Sequence, residues 1–119
     1  MCWQITSVLS SPAMKYYVIV EIDITDPSWI PDYAQHVTRM IEQHGGRYLA
    51  RTPNLEKLEG KRERPQMCVL IEWPSKESAV AFYNSADYKP YLERRLAGAK
   101  SELMLVAGED VARAVQVAE

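Results

Sequence analysis

The chain has 119 residues, 47% of them hydrophobic and 25% charged, with a net charge of −2. That is enough chain for one domain around one core, and the charge balance leaves no electrostatic footprint for nucleic acid or an anionic membrane surface. No apolar run approaches the ~20 residues of a membrane span, and Cys2 and Cys68 stand alone, without metal or redox spacing.

Residues 1–13 (MCWQITSVLSSPA) have no basic start and no apolar stretch of the kind that marks a signal peptide. Met14-Lys15 has the form of an alternative start, and the leader before it is expected to be poorly ordered. With no export signal and two isolated thiols, the expected location is the cytoplasm. The first strand spans Lys15 to Thr25: Tyr16, Val18, Val20, Ile22 and Ile24 make one apolar face, and Tyr17, Ile19, Glu21 and Asp23 a mixed one. Asp26-Pro27-Ser28 is a turn and cap. The first helix then runs to about His44, with Ile30, Tyr33, Val37, Met40, Ile41 and His44 at helical spacing. Gly45-Gly46 supplies the positive φ that a helix end commonly requires, and a short second strand follows over Gly46 to Arg51. Thr52 to Pro65 is a polar connection with Pro53, Gly60 and a run of charges, read as a long arm between strands.

The stretch from Arg64 to Arg95 carries the strongest signals. Met67 to Trp73 is an apolar, β-branched and aromatic run of strand length, with Val69, Ile71 and Trp73 on one face and Cys68, Leu70 and Glu72 on the other. Pro74 ends it, and Ser75 is an N-cap with Glu77 in the first helical turn. Ala79, Phe82, Tyr83 and Ala86 share one helical face up to a break at Asn84-Ser85. Ser85 and Asp87 can start a second helical piece with Pro90 in its first turn, and Tyr88, Tyr91, Leu92 and Arg95 form its stripe, so that an arginine lies on the inward side. Gly98 ends that piece. Ser101 to Val106 is the fourth strand, with Leu103 and Leu105 opposite Glu102, Met104 and Val106. Residues 111–119 form a tail with helical spacing at Val111, Ala114, Val115 and Ala118.

The order β-α-β-β-α-β predicts an α+β, ferredoxin-like domain over residues 14–110, with a four-stranded antiparallel sheet of order 4-1-3-2 and both helical segments on one face. The open face would carry Tyr17, Ile19, Glu21, Cys68, Leu70, Glu72, Glu102 and Met104. It is too apolar to be left bare and too acidic for a plain core, which predicts a homodimer closed through it, with any cleft near that face.

With the elements placed, the chain resembles the family catalogued as domain of unknown function 1330, within the dimeric α/β-barrel superfamily. The resemblance rests on His44-Gly-Gly-Arg47, Tyr48-Leu-Ala-Arg51, Leu58-Glu-Gly60, Ile71-Glu-Trp-Pro-Ser75, Ala81-Phe-Tyr-Asn-Ser-Ala-Asp-Tyr88 and Arg95. It covers roughly Met14 to Asp110. Trp73 stands where phenylalanine is usual, and His36 where a second tyrosine of the first helix is common. The resemblance implies the dimeric fold. For activity it points, through the superfamily, to cofactor-independent oxygenation or isomerisation.

The candidate site residues follow from chemistry. Glu72, flanked by apolar residues in a central strand, is either a structural ion-pair partner or a carboxylate able to act as general base, and His36 is the second acid–base candidate. Arg51 and Arg95 either neutralise Glu72 or Glu59 or clamp an anionic group on a ligand. Tyr83 and Tyr88 flank the helix break and are placed to turn hydroxyls into a pocket. His36 and His44 are eight residues apart, too far along a helix to share a metal. No metal site, haem or other cofactor is expected, and no phosphate loop or Ser-His-Asp arrangement is present. Two functions are in view: a homodimer binding a small acidic or aromatic molecule, catalytic or not, and a non-catalytic or stress-associated module whose charges only stabilise the dimer.

Overall fold

The computed structural model describes residues 14–113, and the leader over 1–13 and the last part of the tail lie outside the described residues. Strand β1 is Tyr16–Ile24, helix α1 Ile30–Gln43, β2 Arg47–Thr52, β3 Met67–Trp73, α2 Lys76–Tyr83, α3 Lys89–Gly98 and β4 Ala99–Ala107. The four strands form one antiparallel sheet in the order β2-β3-β1-β4, the ferredoxin-like arrangement the sequence predicts.

Register sorts the side chains. Val18 lies opposite Ile71 and Leu105, and Val20 opposite Val69 and Leu103. In β1 and β3 this parity is buried and packs with Val37 and Ile41 of α1, Ala79 and Phe82 of α2, and Trp29, while Leu103 of the edge strand β4 is 37% exposed. The other parity places Ile19 beside Leu70 and Met104, and Glu21 beside Cys68 and Glu102. Met104 is 62% exposed, and among the described residues no helix covers that face.

Local chemistry sets the ends of the helices. The Asp26 carboxylate accepts from the Ser28 amide at 3.0 Å and starts a 3-10 turn over Pro27–Trp29 that leads into α1. This contact holds the Asp26 carboxyl below its ordinary pKa. Gly45 closes α1 at φ +90, a conformation that side chains other than glycine rarely adopt. The Ser75 hydroxyl accepts from the Ser78 amide at 3.1 Å and caps α2 as predicted. Pro90 lies in the first turn of α3.

Two boundaries differ from the sequence expectation. The second helical piece begins at Lys89, because Ser85 spends its hydroxyl on the turn between helices, donating to the Phe82 carbonyl at 2.8 Å and accepting from the Tyr88 amide at 3.3 Å. Strand β4 starts at Ala99, with no loop after α3. Gly98 makes that junction possible: its carbonyl accepts from the amides of Thr25 and Asp26 at 2.9 and 3.0 Å and from the Trp29 indole at 3.2 Å. Residues 53–66 form an irregular arm rather than a regular hairpin; Arg62 reaches Glu21 at 3.4 Å on the open sheet face, and Leu58 is 90% exposed. Asp110 caps a helical turn at 111–113 by accepting from the amides of Ala112 and Arg113.

Candidate functional site

Between the sheet and the helices lies a cavity of about 520 Å³. It is on the helix-covered side of the sheet, and a second, charged groove of about 430 Å³ lies between the 55–65 arm and Glu21 and Cys68 of the open face. The larger cavity has its origin in packing. The three helical segments bridge a sheet four strands wide without filling all the space above it, so the apolar parity of β1, β3 and β4 becomes cavity wall.

The wall is mostly aliphatic and aromatic: Val18, Val20 and Ile22 from the sheet floor, Phe82 and Tyr88 from the helices. Phe82 stacks on Trp73 at 5.6 Å between centroids and packs on Tyr88 at 4.3 Å. Among the lining residues are two arginines, Arg51 and Arg95, and no aspartate, glutamate or histidine. A concave apolar wall with fixed positive charge and no compensating carboxylate raises the local concentration of anions.

Arg95 is the central group. It is 3% exposed, and no carboxylate lies within ion-pair distance of it among the described residues. Its Nε donates to the Tyr33 hydroxyl at 3.2 Å, one terminal nitrogen to Ser101 Oγ at 2.6 Å, and the other to the Tyr88 hydroxyl at 3.4 Å. Three of the five guanidinium hydrogens are thereby used. The Tyr33 and Tyr88 hydroxyls share a hydrogen bond of 2.6 Å. Only one of the two phenolic hydrogens is spent in that bond, and the other is left for a ligand. Burial, followed by the Tyr88 oxygen, raises the Tyr33 pKa well above its ordinary value against the pull of Arg95, so this phenol stays protonated. For Arg95 burial works against the charge, but the two tyrosine oxygens outweigh it and the pKa is raised. The result is a buried cation held by neutral oxygens. One more donor faces no acceptor: the Trp73 indole N–H is buried without a partner among the described residues. An unpaired buried N–H costs about 1–3 kcal/mol.

Arg51 lines the same cavity from β2. Its guanidinium carbon sits 3.6 Å above the Tyr48 ring, and it donates to Thr38 Oγ1 of α1 at 2.7 Å. Tyr48 and Arg51 share a face because the β2 ladder is irregular between them. Tyr48 lies opposite Ile71, Ala50 opposite Leu70 and Arg51 opposite Val69, so one residue is bulged out and the alternation resets. Tyr83 lines the cavity too, while 39% exposed.

The predicted residues thus separate into two groups. Arg51, Tyr83, Tyr88 and Arg95 come together around one cavity. Glu72 and His36 do not line it. Glu72 sits on the opposite face of the sheet, 3.3 Å from the Lys15 ammonium, so the expected pairing of Glu72 with either arginine is not made. Strand alternation explains this, because Glu72 has the parity of Leu70 while the cavity takes that of Ile71. His36 lies on the outer surface between α1 and α3, 3.1 Å from Asp32 and stacked on Tyr91 at 5.6 Å. Tyr33 and Ser101, which hold Arg95, are not among the predicted site residues. Both were readable in part: Tyr33 is on the buried stripe of α1, and Ser101 has the inward parity of Leu103 and Leu105.

Several known proteins share this architecture. A protein of unknown function from Rhodopseudomonas palustris superposes with a TM-score of 0.70 at 13% identity, over 92% of this chain and 95% of that one. SnoaB, a cofactor-independent oxygenase from Streptomyces nogalater, superposes with a TM-score of 0.57 at 14% identity, over 82% and 96%. A protein from Bacteroides thetaiotaomicron described as a possible oxidoreductase gives 0.53 at 13%, over 82% and 99%. At such identities the likeness is one of fold. No protein of curated function has a matching sequence. The model of one family, the domain of unknown function DUF1330, matches residues 15–109. Sheet order, helix placement and this match over most of the chain agree, and the chain belongs to the DUF1330 family.

Proposed function

We propose that this protein binds a small, flat organic acid in the cavity beneath its helices, with the acid on Arg95 and the ring system against Phe82, Trp73 and the strand floor. The observation that carries the reading is the buried Arg95 guanidinium, held only by hydroxyl oxygens in a cavity whose lining contains no acidic side chain. Leaving a charge buried without a counter-charge is expensive, and an anionic ligand removes that cost on binding. The cavity volume of about 520 Å³ suits a molecule of two or three fused rings.

Binding without turnover is favoured by one specific feature: no carboxylate or imidazole lines the cavity to act as a general base. Where chemistry does occur, the site suits stabilisation of an oxyanion by Arg95 and the free tyrosine hydrogen. A phenolate that enters already ionised, its proton lost to solvent, would be held there in the electron-rich form that molecular oxygen attacks, and oxygenation without a cofactor is the activity of the structurally similar SnoaB. The reading includes a second copy of the chain on the open sheet face, supported by the uncovered Tyr17, Ile19, Leu70 and Met104.

Calorimetric titration with naphthoate and with its neutral alcohol, naphthylmethanol, tests the proposal. Naphthoate is expected to bind at least tenfold more tightly, and Arg95→Met to abolish the difference while the protein still melts cooperatively. Equal affinity for acid and alcohol in the unmodified protein would sink it. Oxygen uptake and product analysis with the best-bound acid then separate catalysis from binding alone.

A further inference from the structure

We propose that Arg51 is a second anion contact across the cavity from Arg95, so that the preferred ligand carries an acidic group at each end. The inference rests on the cavity reading above and narrows its ligand class.

The two arginines stand on different supports. Arg51 projects from β2, one edge of the sheet, while Arg95 is anchored on Ser101 of β4, the other edge. Three strand spacings separate those edges, about 14 Å at the backbone. The two guanidinium groups thus enter one cavity from opposite edges of the sheet. No carboxylate lies within ion-pair distance of Arg51 among the described residues.

The bulge in β2 is the feature that makes this a built arrangement. Residues three apart on a regular strand point to opposite faces. Here the register shift between Tyr48 and Ala50 returns Arg51 to the cavity face, directly over the Tyr48 ring. Without it Arg51 would share the open face with Leu70. Thr38 holds one end of the guanidinium at 2.7 Å and the Tyr48 ring supports its plane, so the remaining N–H groups are presented with little freedom left to lose. Burial raises the Tyr48 pKa even against the opposing pull of Arg51, so the ring beneath the cation stays neutral and does not quench it.

Calorimetric titration with naphthoate and with a naphthalene dicarboxylate bearing its acids at opposite ends decides the matter. The dicarboxylate should bind the unmodified protein about tenfold more tightly than the monocarboxylate. Arg51→Ala should erase that preference, weakening the dicarboxylate about tenfold more than naphthoate, and Arg51→Lys, keeping the charge without the planar fork, should retain part of it. If naphthoate binds and the second acid adds nothing, the role of Arg51 is refuted while the Arg95 site stands. Equal weakening of both ligands by Arg51→Ala, at an unchanged melting temperature, also refutes it. If neither acid binds, both readings fall together.

Discussion

Arg95 places one buried positive charge in a mostly apolar cavity. A guanidinium placed among neutral oxygens is costly to bury, and the Tyr33–Tyr88 pair lowers that cost without cancelling the charge. The same pair makes the fold sensitive to alkali. In the unfolded chain Tyr33 titrates near its ordinary value of 10.0, whereas in the folded chain it holds its proton to higher pH. Its contribution to stability is therefore fully present below about pH 10 and is lost as pH rises toward the folded value, with a slope of up to about 1.4 kcal/mol per pH unit. Urea unfolding from pH 8 to 11 should show this fall, and Tyr33→Phe should make it shallower while costing about 1–3 kcal/mol at neutral pH through the lost hydrogen bonds. A parallel decline in both proteins would show that Tyr33 is not the group responsible.

At the scale of elements, most of the architecture is written in local pattern. Alternation over Tyr16–Ile24 and Met67–Trp73 gives the central strands and their faces, and Ser75 and Pro90 mark the helix starts. Ser75→Ala should lower stability by about 1 kcal/mol, the usual loss for a removed N-cap hydroxyl, with Ser75→Asp restoring most of it in thermal melts. The α3–β4 junction depends on Gly98, where an added Cβ would press on the Trp29 ring and the Asp26 carbonyl. Gly98→Ala is expected to cost about 1–3 kcal/mol, and a melt unchanged from the unmodified protein would contradict this packing. The sequence could not announce the bulge in β2, because Arg47-Tyr-Leu-Ala-Arg51 alternates acceptably in either register and only pairing with β3 selects one. The separation of Glu72 from Arg95, by contrast, is legible in the pattern: Glu72 has the open-face parity of its strand, and Arg95 lies on the inward stripe of a helix on the other face.

For the whole molecule, the sheet has one face under helices and one that no helix covers among the described residues. Tyr17, Ile19, Leu70 and Met104 form an apolar band there, edged by Glu72 with Lys15 and Glu21 with Arg62. The proposed second copy would be seated on this band, and Leu70→Lys is expected to give monomer or aggregate by light scattering; a stable monomer from the unmodified protein would contradict that assembly. In this arrangement Glu72 and its lysine belong to the interface and Arg95 to the ligand, two roles the sheet keeps apart. That division is the central claim, and a crystal structure of the protein grown with naphthoate tests it most directly. The expected result is the carboxylate within hydrogen-bonding distance of the Arg95 guanidinium with its ring packed on Phe82. Naphthoate seated on the open sheet face beside Glu72 and Lys15, with the cavity unoccupied, would contradict it.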